Sequence, residues 1–236
     1  CPVLLATMTN QLPLALQLRE GHDLDNFHAG DNGLALASVK AAAQGEEHQV
    51  LLWGGEGQGK SHLLEGAVRH AQALGRSACL LPAKELLPLV PDVFDGMEQF
   101  TLLALDDVDR FAGQPRWEEA LFHLYNRVMA GGGVLLFTAS ASPAATPWQL
   151  PDLATRLAAG PVIRLQPLDE QALTELVVRR AGERGLRING EAARYLAMRS
   201  ERSPAALLER LATLDHMALA RQRALTLPFI TDVFDW

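Results

Sequence analysis

Five short apolar runs punctuate the first two thirds of the chain: QVLLW (49–53), SACLL (77–81), TLLAL (101–105), VLLFT (134–138) and PVIRL (161–165). Each is too short for a helix and too continuously apolar for a half-solvated strand, so each is expected to be a buried strand. Stretches of helical periodicity, notably 60–74 and 116–130, lie between them. Buried strands alternating with helices predict a parallel sheet with helices on both faces. After Leu165 the strand pattern stops. DEQALTELVVRRAGERG (169–185) opens on acids and closes at Gly185, as a helix does. GEAARYLAMRS (190–200) and SPAALLERLATLDHMALARQR (203–223) continue in helical phase, the second with Ser203 as N-cap and Pro204 at its first position. Pro228 starts a last short helix ending near Trp236. Residues 1–20 are apolar but broken by Pro2 and Pro13, which predicts an extended arm. The expected division is therefore an arm over 1–20, an α/β domain over 21–166 and a small all-helical domain over 167–236.

Composition narrows the class. With 236 residues, 48% of them hydrophobic and 21% charged, the chain can build its core without staples and is neither disordered nor collagen-like. No apolar run approaches the roughly 18–20 residues of a spanning helix, so no membrane association is expected. The net charge of −7 makes a poor general surface for a nucleic-acid backbone. Cys1 and Cys79 are the only cysteines and form no framework; with no secretion signal recognisable, a cytoplasmic location is expected. The seven histidines show no metal spacing, and no Ser/His/Asp set emerges.

One motif carries chemistry outright. Gly54-Gly55-Glu56-Gly57-Gln58-Gly59-Lys60-Ser61 fits G-x-x-x-x-G-K-[ST], follows a predicted strand and opens a predicted helix. Glycines let the backbone curl so that successive N–H groups face phosphate oxygens. Lys60, one of only three lysines in the chain, reaches the β- and γ-phosphates, and the Ser61 hydroxyl is a Mg²⁺ ligand. The helix start at Lys60 adds its positive dipole end, with His62 beside it. A chance match in a chain this long is expected about once in a hundred sequences of average composition. TLLALDD (101–107) supplies a second element, because a buried strand ending in acids places them where ligands of open α/β sheets gather. Asp106 is the expected Mg²⁺ partner, through water. Asp107 stands where many ATPases carry a glutamate to activate water; one methylene shorter, it predicts weak or no intrinsic hydrolysis. Thr138 and Ser140, at the end of the next strand, either contact the γ-phosphate side of the site or simply terminate the strand.

The order P-loop, Asp-Asp strand, polar strand end, Arg-bearing segment and helical lid resembles an AAA+ module. More narrowly, the chain resembles the DnaA family and its short Hda branch. The residues that carry the resemblance are DNFHAGDN (25–32), the P-loop, LALDDVD (103–109), WEEALFHLYNRV (117–128), LPDLATRLAAG (150–160) and LTLPFITDVF (225–234). The last of these, DVFDGMEQ (92–99) and the length favour the Hda branch over DnaA, which continues into a helix-turn-helix domain. The resemblance implies a P-loop AAA+ fold, an adenine nucleotide with Mg²⁺, and Arg156 as a finger offered in trans to a neighbour's γ-phosphate, for which a guanidinium is suited. Phe27 and His28 flank the base or belong to the core. The family's lid arginine is missing: Ala205 stands at its place, with Arg202 nearby, and Ser140 replaces a frequent acid. Both departures make an ADP-bound resting state the expectation. Gln11-Leu12-Pro13-Leu14-Ala15-Leu16 is similar to the peptide that docks on the replicative sliding clamp, Gln11 at the pocket rim and Leu12, Leu14 and Leu16 in or along the apolar groove. The implied function is negative regulation of replication initiation, by stimulating DnaA's ATP hydrolysis from the DNA-loaded clamp, with DNA reached only through it. A self-assembling ATPase and an initiator or helicase-loader relative are the alternatives, and a homodimer or larger oligomer stays open. Arg179 and Arg180 read as a solvated helix face.

Overall fold

The computed structural model describes residue 18 and residues 22–200, 203–221 and 225–236. All five apolar runs form strands: β1 (Gln49–Trp53), β2 (Ala78–Pro82), β3 (Leu102–Asp106), β4 (Val134–Ala139) and β5 (Val162–Arg164). They pair in parallel in the order β2-β3-β4-β1-β5, with Leu51 opposite both Phe137 and Val162. Parallel pairing requires a crossover after every strand, and the helices supply it. The strand period of two then sorts side chains to the two faces. Val50 and Leu52 join one core with Leu63, Leu64 and Val68, while Leu51 joins the other with Leu121, Leu124 and Phe137. One expectation fails at the edge. β5 alternates exposed and half-buried residues, because it has a neighbour on one side only and carries three residues; Arg164 covers the ring of Trp53 at 5.2 Å instead.

Helix α1 (Gly33–Gln44), which the sequence pattern did not announce, lies before β1 and ends where Gly45 turns left-handed, φ 89°. α2 (Lys60–Ala73) follows the P-loop and α3 (Ala83–Leu86) follows β2. α4 (Pro115–Ala130) and α5 (Pro151–Leu157) both begin with proline at the first turn, where no N–H is missed. The C-terminal helices are α6 (Glu170–Glu183), α7 (Gly190–Arg199), α8 (Pro204–Arg221) and α9 (Leu227–Phe234). Side chains cap three of them: Asp169 Oδ1 accepts from Ala172 N at 2.7 Å, Asn189 Oδ1 from Ala192 N at 2.8 Å, and Ser203 Oγ from Ala206 N at 3.4 Å. Leu173, Val177, Leu196, Leu207, Leu211 and Ile230 close a core of their own, separate from the two that flank the sheet. No helix among the described residues is long and apolar enough to cross a membrane.

Candidate functional site

At the end of β1 the chain leaves the sheet, curls through residues 54–59 and enters α2 at Lys60. Gly57 and Gly59 both hold positive φ, 72° and 91°, which an L side chain adopts at a cost. Close neighbours add to the requirement: a Cβ on Gly59 would lie 2.8 Å from Phe27 Cε2, and one on Gly57 would overlap Ser203 Oγ. The Gln58 amide folds back over Gly54, where its Oε1 is buried with no hydrogen-bond partner among the described residues. Lys60 is 8% exposed, and its ammonium donates to Gly54 O and Gly55 O, both at 2.8 Å. Two of its three donors thus brace the loop, leaving the third for an anion in the curl.

The acid at the end of β3 is bound into the same site. Ser61 donates its hydroxyl hydrogen to Asp106 Oδ2 at 2.7 Å, and the buried Thr138 hydroxyl donates to Asp106 Oδ1. Thr138 Oγ1 in turn accepts from Asp107 N at 2.8 Å. Thr138 therefore bears on the site through Asp106, since its one hydrogen is committed there. Burial pushes the Asp106 carboxyl up from its ordinary value, the Asp107 charge adds to that, and the two hydroxyls and Lys60 oppose it. Ser61 and Asp106 are hard oxygen donors side by side, the set that suits Mg²⁺ held together with a nucleotide's phosphates. No group of three His, Cys, Asp or Glu side chains among the described residues could hold a metal by itself. Asp107 adopts the left-handed conformation, φ 56°, and its carboxylate meets Arg110 Nε at 3.3 Å. Ser140 donates from both backbone and hydroxyl to Asp109 Oδ2, so that hydroxyl is also taken.

The helical domain closes over this loop. A crevice of about 40 Å³ remains between Phe27, Gln58, His62, Arg180, Pro204 and Leu208. Small-molecule sites usually measure about 300–1,000 Å³, so the crevice is narrow in this arrangement of the lid. Larger hollows, about 540 Å³ beside Tyr195 and about 420 Å³ beside Arg69, include none of the P-loop or β3 residues. Phe27 is at once a core side chain and a wall of the crevice, lying edge-on to His62. His62 stacks on His22 at 4.5 Å and its Nε2 lies 3.0 Å from both Asp23 O and Asn26 Oδ1. Burial lowers its pKa to about 4, so the ring is neutral at pH 7 and Nε2 is the protonated nitrogen.

Arg179 and Arg180 do not form the solvated face that helical spacing suggested. Both donate to Asn26 O, at 2.7 and 3.2 Å, and the Arg180 side chain is only 13% exposed. A second tie joins the domains: Asn32 Nδ2 donates to Gln166 O at 3.0 Å and Gln166 N to Asn32 Oδ1 at 2.7 Å. Motif reading does not reach the buried Asn32 or the half-buried Arg180, because neither belongs to a motif; Asn32 lies only inside the DNFHAGDN resemblance. Ala205 is exposed on the first turn of α8, and Ser203 meets the P-loop at Gly57. Arg202 and the arm residues Gln11, Leu12, Leu14 and Leu16 lie outside the described residues.

Arg156 is not gathered into this site. It is exposed near the end of α5, its carbonyl bound by Gln49, the first residue of β1. The P-loop follows the last residue of the same strand, roughly 13 Å of strand away.

Comparison with known proteins agrees with this architecture. Residues 169–234 match the family model for the Hda lid domain. The fold aligns with domain III of the Thermotoga maritima replication initiation protein DnaA at a TM-score of 0.81 and 18% identity, over 92% of this chain and 97% of that one. AMPPCP-bound DnaA from Aquifex aeolicus aligns at 0.73 and 21% identity, over 87% and 67% of the two chains. A Thermotoga maritima RuvB variant aligns at 0.71 and 20% identity, over 93% and 73%. Residues 169–234 thus match a lid domain of the Hda type, and the chain as a whole shares the fold of DnaA domain III.

Proposed function

We propose that the protein is a nucleotide-bound AAA+ regulator of replication initiation that triggers ATP hydrolysis in DnaA while docked on the DNA-loaded sliding clamp. The observation that carries the reading is the place of Arg156: exposed, on a short helix, and at the far end of β1 from its own phosphate loop. An always-charged fork in that position serves a phosphate held by another molecule better than one held by its own loop. Such an arginine, supplied in trans, is worth roughly 10³–10⁵ in rate where it has been characterised. The Hda-type lid and the likeness to DnaA domain III support DnaA as the partner.

The chain's own site then serves to bind. Residues 54–61 hold the phosphates of an adenine nucleotide, ADP at rest, with Lys60 as counter-charge and Ser61 and Asp106 toward Mg²⁺, which neutralises phosphate charge. AMPPCP in the Aquifex DnaA structure supports an adenine nucleotide for this fold. Two features disfavour rapid hydrolysis here: Asp107 is paired with Arg110, and Ala205 stands where the family's lid carries an arginine. Gln11, Leu12, Leu14 and Leu16 supply the clamp contact, and DNA is approached through the clamp in the cytoplasm.

The deciding experiment measures ATP hydrolysis by DnaA with this protein and DNA-loaded clamp, together and singly. Stimulation that needs both, and that disappears with Arg156→Ala and again when Gln11, Leu14 and Leu16 become Ala, supports the reading. Brisk hydrolysis by this protein alone, indifferent to the clamp, would make it an independent ATPase.

A further inference from the structure

The helix that carries Arg156 is seven residues long, too short to be stable by itself, so its conformation is imposed from outside. Three buried polar side chains impose it. At the start of α5, Glu118 Oε2 accepts from Leu150 N at 2.8 Å and Oε1 from Gln149 N at 3.2 Å, while Oε1 also accepts from Gly113 N at 2.7 Å. At its end, Gln49 Nε2 donates to Arg156 O at 2.9 Å and Leu157 O at 3.0 Å, carbonyls of the last turn, the first of which also accepts from Ala159 N at 3.1 Å. With the amide nitrogen so committed, Gln49 Oε1 faces Tyr125 and accepts its hydroxyl at 2.8 Å. The Tyr125 ring then lies under the Arg156 guanidinium, 5.8 Å from centroid to Cζ, within cation–π range.

The arrangement is convergent. Glu118 and Tyr125 are seven residues apart on α4, two turns, and so face the same way. Leu153 and Leu157, four apart and fully buried, set the roll of α5 and leave Arg156 outward. Beyond the helix, Gly160 lies against β1 so closely that a Cβ would come within 2.7 Å of Gln49 O. Buried polar groups are costly unless paired, and most of the pairings made by Glu118 and Gln49 are to α5 or its flanks. We propose that Gln49, Glu118 and Tyr125 are positioning residues that hold Arg156 in a fixed outward pose, ready for a phosphate on the partner protein. This rests on the reading of Arg156 as a finger acting in trans.

The test pairs kinetics with a direct view of the side chain. Tyr125→Leu, which removes the ring, is expected to lower the maximal stimulated rate of DnaA hydrolysis by about 10- to 100-fold, as expected for a misplaced group. The half-saturating concentration of the regulator stays within about twofold, because an oriented guanidinium acts on the reaction more than on docking. Tyr125→Phe, which keeps the ring, retains the rate to within about threefold. In parallel, arginine side-chain NMR follows the Arg156 Nε–H signal, assigned through Arg156→Lys. It should be shifted by the ring and more rigid than that of Arg116, which is exposed, and should move to the free position in Tyr125→Leu. A leucine variant that stimulates like the parent, or loses only affinity, overturns the proposal. If that variant does not fold, the parent spectrum decides: an Arg156 signal as mobile and unshifted as that of Arg116 overturns it. A shifted, rigid Arg156 in a protein whose Arg156→Ala variant still stimulates would leave the frame standing and remove the finger reading.

Discussion

Gly57, in the bend of the P-loop, and Ser203, at the N-cap of α8, touch so closely that no side chain fits between them. The lid is thus seated on the phosphate loop through one glycine. Gly57→Ala combines a left-handed backbone, φ 72°, costing about 1–2 kcal/mol, with a methyl group inside Ser203. Gly185 provides the control, since it holds φ 73° but has nothing within 4 Å of its Cβ position. Gly185→Ala should lower Tm by about 2–8 °C and leave nucleotide affinity unchanged. Gly57→Ala should lower Tm further, weaken nucleotide binding and speed proteolysis of the connection around residues 165–169. Equal behaviour of the two variants would mean that the lid does not rest on the loop.

Asp106 is held by Ser61 on one oxygen and Thr138 on the other, so both oxygens act as acceptors. In Asp106→Asn one of those hydroxyls meets an amide N–H and must turn away. Mg²⁺-dependent nucleotide affinity should fall about 10- to 100-fold, the usual effect of disturbing a group that orients a metal's ligands. Affinity in the presence of chelator should change little, because the backbone cradle and Lys60 are untouched. Calorimetric titration with and without Mg²⁺ separates the two, and an equal loss in both conditions would place Asp106 in the cradle itself.

Much of this was written in local pattern. Continuous apolar runs gave the strands to within two residues, since a strand inside a parallel sheet is buried on both faces, and the P-loop is a contiguous backbone device. The edge strand β5 broke the rule because burial depends on neighbours that the run itself does not encode. Helix α1, GLALASVKAAAQ, has alanines on several faces and little amphipathic contrast, so periodicity did not reveal it. The ties that shape the site were further from reach. Asn32 meets Gln166 across 134 positions and Arg180 meets Asn26 across 154, and neither pair has a spacing to recognise. Arg179 and Arg180 depart from the expected solvated face because two adjacent arginines on an amphipathic helix resemble ordinary surface charge until the tertiary fold supplies Asn26 O.

Glu118 is fully buried, yet its two oxygens take three backbone N–H groups from segments 31 or 32 residues away and from its own helix entry. A hydrogen bond to a charged group contributes about 1.5–3 kcal/mol. Glu118→Ala leaves three donors in a closed interior, and Glu118→Gln turns at least one N–H against another. The alanine variant should lose about 3–5 kcal/mol of stability and the glutamine variant a smaller part of it. Urea unfolding measures both, and a loss below about 1 kcal/mol for alanine would mean that water replaces the carboxylate.

His62 links the same region to pH. Its folded pKa is lowered to about 4, chiefly by burial, with nearby His22 and Arg180 adding to the effect and Asp23 O and Glu65 opposing it. The unfolded chain takes up that proton near 6.5, so between about 6.5 and about 4 the unfolded state binds more protons than the folded one. Stability is therefore full above pH 6.5 and falls as pH drops, by about 3 kcal/mol if His62 acts alone. His28 is lowered as well and works in the same direction, whereas the raised Asp106 favours the folded state on acidification. His62→Gln keeps an N–H near Asp23 O but removes the titration. Urea unfolding at pH 7.5, 6.5, 5.5 and 4.5 should show the parent losing stability steeply below 6.5 and the variant losing much less. Because His62 bonds the 23–26 segment to which Arg179 and Arg180 fasten the lid, acid should also loosen the lid before the sheet. Hydrogen exchange would show that order directly, with protection in α6 lost at a higher pH than protection in β3; simultaneous loss would uncouple His62 from the lid.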